Sequence, residues 1–438
     1  MMAERSLPHL LQQGQAHFMR GEYDAAAVRF QEAVALAPDA YPARYNLALA
    51  RYMSGRLDEA MAQFEQAARL APASAEPHMM IGLSLYRLGR LEDSAASARR
   101  AIELNPASAE AHNNLTAVWL GLGRFDAAAA CARRALELKP EYPEASSNLA
   151  TACLHLGQLE EALAQCRTAL AHRPGSVAAQ ITLGVTQYRL GHRDEARAAF
   201  QRAIALQADA VEAYVNLATL ALHQGALDEA EALAQKAIGL RPGHATAHYT
   251  LGLSQFRQGR PAQAMTCFER SLSLDPGSPA VQSARVYALL YLPETTPSEA
   301  LAAHREFAAR RESPLKPHWP RHAPARDPER RLRVGYVSPD FRRHSVASFM
   351  EPVIESHDRA GFQVHCYYTG TEHDAVTGRL RSAADHWRDC AHLSDEQLAG
   401  HIRTDDIDIL VDLAGHTRDG RLLAFARRPA PVQVTYLG

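Results

Sequence analysis

The sequence predicts an α-solenoid of eight 34-residue helix pairs followed by part of a parallel α/β lobe. Two observations carry this reading. A proline recurs at Pro38, Pro72, Pro106, Pro140, Pro174, Pro242 and Pro276, and a glycine keeps the same beat at Gly21, Gly55, Gly89, Gly123, Gly157, Gly191, Gly225 and Gly259. From Leu332 onward the pattern changes to short apolar runs alternating with amphipathic stretches: LRVGYVS, VASFMEPVIESHDRAG, FQVHCYY, a variable stretch, DIDILVDLAG, RLLAFARR and VQVTYL. The first pattern is that of stacked helix hairpins, and the second is that of parallel strands joined by helices.

A 34-residue unit holds two short antiparallel helices and their turns, and such a hairpin cannot bury its apolar face without a neighbour. Each glycine is expected to end the first helix in a left-handed conformation, and each proline to follow the second helix, which it cannot continue. Ala208 stands where one proline beat is missed, but the register does not slip, so eight units run from Leu7 to Ser278. Position 20 of the units reads Ala26, Ala60, Ser94, Ala128, Ala162, Ala196, Ala230, Ala264, and position 27 reads Ala33, Ala67, Ala101, Ala135, Ala169, Ala203, Ala237, Ser271. Small side chains there let helices approach closely. Position 7 is Leu or Ile in units two to eight but Gln13 in unit one, as suits a first repeat with one wet face. Position 8 alternates among Gly, Ala and Thr, and position 24 is Phe in four units. This part of the chain closely resembles the tetratricopeptide family.

After Ser278 the beat stops. SPAVQSARVYALLYL and PSEALAAHREFAARRES read as two capping helices, and PLKPHWPRHAPARDPERR as a linker. The expected domains are residues 7–278 (repeats), 279–331 (capping helices and linker) and 332–438 (the partial lobe). In open parallel sheets ligands sit at the carboxyl ends of strands, here at Ser338, Pro339, Asp340 and Phe341 after the first strand and at Gly415, His416 and Thr417 after the third. No GxGxxG or GxxxxGK[ST] follows a strand, which speaks against ordinary dehydrogenases and kinases.

At 438 residues, with 47% hydrophobic and 22% charged content and a net charge of -2, the chain signals neither a nucleic-acid nor a membrane partner. Its only lysines are Lys139, Lys236 and Lys316. The six cysteines form no CxxC pair and match no zinc or disulfide spacing, so no metal is expected. No apolar window approaches a membrane span and the N-terminus lacks a signal-peptide pattern, so a reducing, cytoplasmic setting is expected.

Position 6 of the first helix is Asn46, Asn114, Asn148 and Asn216 in units two, four, five and seven, and in tetratricopeptide superhelices this position looks inward. An amide that donates and accepts at once can pair with the backbone of an extended peptide, so these four are the candidate contacts for protein or peptide clients. The same residues also read as solvated side chains on a wet helix face, and units three, six and eight carry Met80, Thr182 and Thr250 there.

RLRVGYVSPDFRRHSVASF, DIDILVDLAGHT and RRPAPVQVTYLG resemble the opening of the catalytic region in the protein O-linked N-acetylglucosamine transferase family, whose members also place tetratricopeptide repeats directly before it. The resemblance implies two Rossmann-like lobes, the GT-B fold, with the nucleotide sugar held mainly by the second lobe and transferred with inversion to serine or threonine. It implies UDP-N-acetylglucosamine as donor substrate and no cofactor. The family's histidine after the first strand falls on His344, the one candidate catalytic residue; at the entry to a helix, an imidazole can exchange a proton at neutral pH. Asp340 precedes it by four residues and reads as a helix cap more readily than as a group that orients the ring. His365, His373, His386, His392 and His401 have no metal or triad spacing and read as structural or solvated, whereas His416 sits at a strand end in LAGHT. Residues 332–438 are enough for part of one lobe, so the nucleotide-sugar lobe is expected to be missing and the chain inactive by itself. The alternative is a tetratricopeptide scaffold for protein partners without catalysis.

Overall fold

The computed structural model describes residues 6–322, 327 and 329–436. Part of the expected linker and the last two residues of VQVTYLG lie outside the described residues. The chain divides into two compact units, Met1–Ala213 and Tyr214–Gly438.

The first unit contains six helix pairs: α1 (Leu7–Met19) with α2 (Tyr23–Leu36), α3 (Tyr41–Met53) with α4 (Leu57–Leu70), α5 (Glu76–Arg87) with α6 (Leu91–Leu104), α7 (Ala109–Gly121) with α8 (Phe125–Leu138), α9 (Pro143–His155) with α10 (Leu159–His172), and α11 (Val177–Arg189) with α12 (Arg193–Leu206). The division falls within α13 (Val211–His223). The second unit continues with α14 (Leu227–Leu240), α15 (Ala245–Arg257) and α16 (Pro261–Leu274), then α17 (Pro279–Leu289) and α18 (Pro297–Arg311). All eight beat glycines have positive φ, between 69° and 87°, and an added Cβ at any of them would meet nothing within 4 Å. Their requirement is therefore conformational, not steric.

Position 20 and position 27 residues are all buried. Where serine replaces alanine it bonds to the facing helix: the Ser94 hydroxyl donates to Gly82 O (2.7 Å) and that of Ser271 to Ala245 O (2.9 Å). At three of the position 8 glycines the small residue has a packing cause, although the second unit holds Ala48 beside Phe64 in one buried cluster. At Gly14, Gly184 and Gly252 an added Cβ would lie 2.4, 2.5 and 2.6 Å from Cε1 of Phe30, Phe200 and Phe268, the position 24 residues of the same units. Thr116 is tolerated because its unit carries Ala132 instead.

Two recurring bonds fix how one pair meets the next. Side chains at position 4 donate to the beat proline six residues back: Arg44 to Pro38 O (2.6 Å), His112 to Pro106 O (3.2 Å), His248 to Pro242 O (2.9 Å) and Gln282 to Pro276 O (2.9 Å). Arginines at position 13 reach the end of the preceding first helix, Arg87 to Tyr52 O (3.2 Å), Arg189 to Leu154 O (2.5 Å) and Arg257 to Leu222 O (2.6 Å). α18 opens on a capping box between Thr296 and Glu299, and the segment expected as linker begins with a 3-10 helix at Ser313–His318.

The lobe follows as β1 (Leu332–Ser338), α19 (Ser345–Glu355), β2 (Phe362–Tyr368), α20 (Ala375–Ala383), β3 (His386–Asp389), α21 (Asp395–Thr404), β4 (Ile409–Asp412), α22 (Leu422–Phe425) and β5 (Val432–Thr435). The stretch left as variable thus holds two helices and an edge strand, and Gly415, His416 and Thr417 follow the fourth strand rather than the third. All pairings are parallel, in the order β3-β2-β1-β4-β5. Alternate strand residues serve opposite faces. Val334, Tyr336, Val364, Cys366 and Tyr368 pack with Met350, Ile354 and Leu380 on one side, while Val337, Tyr367 and Leu410 pack with Leu398, Ile402 and Phe425 on the other.

Gly184→Ala should destabilise the protein by about 1–3 kcal/mol through overpacking against Phe200. Urea unfolding should show part of that loss restored in Gly184→Ala/Phe200→Leu, because the second change returns the volume.

Candidate functional site

Chain order reverses direction across the sheet between β1 and β4: β2 and β3 lie to one side of this pair and β5 to the other. A crevice forms at the carboxyl ends of strands where such a reversal occurs. The loop after β1 carries Pro339 to His344, and the loop after β4 carries Leu413 to Arg421. The expected site segments therefore face one another across the switch point.

His344, and not Asp340 as expected, is the N-cap of α19: its Nδ1 accepts the backbone N–H of Val346 at 3.2 Å. Its side chain is 39% exposed, and Asp340 Oδ2 lies 3.8 Å from the same Nδ1. Asp340 is more enclosed, with 14% of its side chain exposed, and Arg342 stands 3.7 Å from its other oxygen. Burial pushes the Asp340 carboxyl above its ordinary pKa, against the opposing pull of His344 and Arg342. Asp374 holds the loop from the side. Its carboxylate accepts the N–H of Arg343 (2.6 Å) and those of Val376 and Thr377 at the start of α20, and these backbone bonds lower its pKa.

Beneath the second loop, Asp412 is 1% exposed and accepts the N–H groups of Ala414 (3.1 Å) and Gly415 (3.0 Å), while its burial raises its pKa. Sequence reasoning missed this brace. Its signal was an aspartate closing an apolar strand directly before a glycine-containing turn. His416 does not open into the crevice freely. Ser283 Oγ lies 2.6 Å from its Nδ1, and the rings of His304 and Phe307 pack edge-on against it, so α17 and α18 cover it. Burial, with a smaller contribution from His304, pushes its pKa down to about 4.

His365, midway along β2, and His386, at the amino end of β3, stack at 4.3 Å between ring centroids, away from the crevice. Among the described residues no group of three or more histidine, cysteine, aspartate or glutamate side chains is placed to hold a metal ion. No helix among the described residues is long and apolar enough to cross a membrane. A cavity of about 600 Å³ lies between α18 and the β5 side of the lobe, lined by His304, Phe307, Trp319, Phe425 and Arg428, among others, and His344 does not line it.

Asn46, Asn114 and Asn148 lie half-buried in first helices of the first unit and Asn216 in the second. Asn148 is committed to a neighbour: its Nδ2 donates to Oδ1 of Asn113 at 2.9 Å. Asn113, at position 5 and buried, was not singled out by sequence reasoning; the doubled asparagine at 113–114 was its trace.

Paired helices on a 34-residue period, joined to a parallel lobe whose strand order reverses between β1 and β4, define a repeat protein carrying an α/β lobe. Residues 17–83 and 221–286, and residues 79–119, 118–177 and 181–245, match tetratricopeptide repeats, and residues 303–438 match glycosyl transferase family 41. The chain is thus a tetratricopeptide-repeat protein carrying a glycosyl transferase family 41 region. It is similar to the probable UDP-N-acetylglucosamine--peptide N-acetylglucosaminyltransferase SPINDLY of Solanum lycopersicum, with 38% identity over 158 residues, 35% of this chain and 17% of that protein. The UDP-N-acetylglucosamine--peptide N-acetylglucosaminyltransferase of Caenorhabditis elegans is 36% identical over 110 residues, 25% of this chain and 10% of that protein. A mutant of the Thermobaculum terrenum O-GlcNAc transferase is a structural neighbour, with a TM-score of 0.57 and 39% identity, covering 60% of this chain and 50% of that one. The match to the first of these curated relatives spans about a sixth of its length.

His416 and His365, both with pKa values lowered to about 4, stay neutral in the folded protein. Unfolding lets each ring take up a proton between about pH 4 and the ordinary value near ~6.5, so stability is complete above that window and is lost as pH falls through it. Urea midpoints at pH 7.5 and pH 5 should show a smaller drop for His416→Asn than for the parent.

Proposed function

We propose that the chain serves glycosyl transfer to protein: the repeats hold a client polypeptide, and the crevice between the β1 and β4 loops presents a serine or threonine hydroxyl to an activated N-acetylglucosamine. The observation that carries this reading is the placement of His344, an ionisable side chain at the helix entry beside the switch point, within a region similar to enzymes named for this reaction. The hydroxyl oxygen bonds to the anomeric carbon, the bond from that carbon to the nucleoside diphosphate breaks, and the hydroxyl proton must be taken up. His344 is the proposed group for that proton. Asn46, Asn114, Asn148 and Asn216 are the proposed client contacts in the repeats, and residues 7–278, 279–331 and 332–438 are the proposed domains.

The diphosphate leaving group needs positive charge near it. The resemblance gives the nucleotide sugar mainly to a second lobe, and within residues 332–438 only arginines, and no lysine, could supply that charge. Calorimetric titration of UDP-N-acetylglucosamine into the 438-residue chain is therefore expected to be silent, whereas a serine-rich peptide should bind and Asn114→Ala should weaken it severalfold. Peptide binding with no sugar transfer even when a nucleotide-sugar lobe is supplied would leave the scaffold reading in place. Loss of peptide binding would remove the client role of the repeats.

His344→Asn separates the two jobs of this residue, because asparagine caps a helix but exchanges no proton. With a nucleotide-sugar lobe supplied, it should leave the urea midpoint almost unchanged and reduce transfer by about 10²–10⁴-fold.

A further inference from the structure

We propose that Asp340 is a positioning residue that selects the base-competent tautomer of His344, in competition with the cap of α19; the catalytic consequence rests on the transferase reading above. In the observed geometry the Nδ1 lone pair of His344 is committed to the Val346 N–H. A neutral imidazole has one donor and one acceptor nitrogen, so the capping ring carries its proton on Nε2. That tautomer donates from Nε2 and has no free lone pair with which to take a hydroxyl proton.

The other tautomer, with the proton on Nδ1, is the one able to act as base, and its N–H needs an acceptor. Asp340 is placed to be that acceptor. Its Oδ2 lies 3.8 Å from Nδ1, so a closure of about 1 Å converts proximity into a hydrogen bond. The carboxylate has capacity to spare, since its recorded charged contacts, to Arg342 and His344, are both longer than hydrogen bonds. It is also half enclosed, where an N–H pointed at it gains more than in open water.

The remaining charges around the pair are accounted for. Arg342 turns toward Glu372 at 3.2 Å, Asp374 is engaged by three backbone N–H groups including that of Arg343, and Arg418 and Asp419 from the loop after β4 act on Asp340 with opposite signs. None of these supplies another recorded acceptor for His344 Nδ1.

The two states are exclusive, because one nitrogen cannot both accept from Val346 and donate to Asp340. Leaving the cap frees the lone pair on Nε2. When Nε2 then takes the hydroxyl proton, the ring becomes an imidazolium whose Nδ1–H remains on the Asp340 carboxylate, and no further proton moves. Asp340 acts through the ring and does not touch the sugar or the hydroxyl.

The test is a long-range ¹H–¹⁵N spectrum of the full chain with labelled histidine, recorded at alkaline pH, with His344→Gln used to assign its signals. In the parent, the Nδ1–H tautomer should be populated. In Asp340→Asn it should fall about tenfold, the loss of one charge-assisted hydrogen bond, and in Asp340→Glu it should return in part. A parent ring wholly in the Nε2–H form, or populations unchanged in Asp340→Asn, would overturn the proposal. If Asp340→Asn fails to fold, as its backbone amide spectrum would reveal, the parent spectrum alone decides. The readout is a proton on a ring and not turnover, so a failure of the transferase reading leaves this result standing, and the reverse also holds.

Discussion

Helices that touch along their length leave little more than a methyl group of space between them, and the repeats are organised around that limit. The buried alanines of positions 20 and 27 set the approach, and where serine intrudes it is absorbed by a bond to a carbonyl of the facing helix. The space is shared, not fixed per residue. A phenylalanine at position 24 takes the volume that position 8 gives up, as Gly184 does for Phe200. Apolar contact of this kind is non-directional. The position 4 and position 13 hydrogen bonds therefore supply the angular definition that packing alone lacks, each tying a side chain to a backbone carbonyl of the adjoining turn or the preceding helix.

The lobe solves a different problem. Its central strands β1, β2 and β4 are buried on both faces, so alternation assigns side chains to two cores, and the strand order reverses at one rim of the sheet. Carboxylates brace that rim: Asp412 beneath the β4 loop and Asp374 beside the β1 loop each spend their oxygens on backbone N–H groups. Asp340, on the same rim, has no such engagement. Among these three carboxylates, two have their bonds filled by backbone N–H groups and one has bonds to give.

The helical period was fully legible, because glycine and proline mark conformations that few other residues adopt, and Ala208 shows that the register survives a lost mark. The strands β1, β2 and β4 were legible as apolar runs. β3 was not: HWRD is short, polar and at an edge, without alternation to read. α20 and α21 were hidden by weak apolar periodicity, although Asp374 with Thr377 and Ser394 with Gln397 announce their starts as capping boxes. At the candidate site, the sequence placed His344 at a helix entry, where it is found. It could not show that the cap consumes the nitrogen facing Asp340, since that depends on a rotamer. Nor could it show that His416 is covered, because Ser283 and His304 lie more than a hundred residues away in sequence. Asn148 was singled out for clients, but its bond to Asn113 is a tertiary fact that spacing does not contain.

In three units the glycine at position 8 and the phenylalanine at position 24 form a matched pair, while the second unit fits Ala48 beside Phe64. A unit with Thr116 and Ala132 cannot accept a phenylalanine at position 132 until residue 116 has shrunk, and a unit with Gly252 and Phe268 cannot accept a larger residue at 252 until the ring is gone. Enlarging one residue first passes through an overfilled interface, and shrinking the other first passes through a hollow one. Because both residues lie within the same unit, copying a whole unit carries a matched pair. An array of this kind can therefore lengthen by duplication more readily than any one of its units can drift.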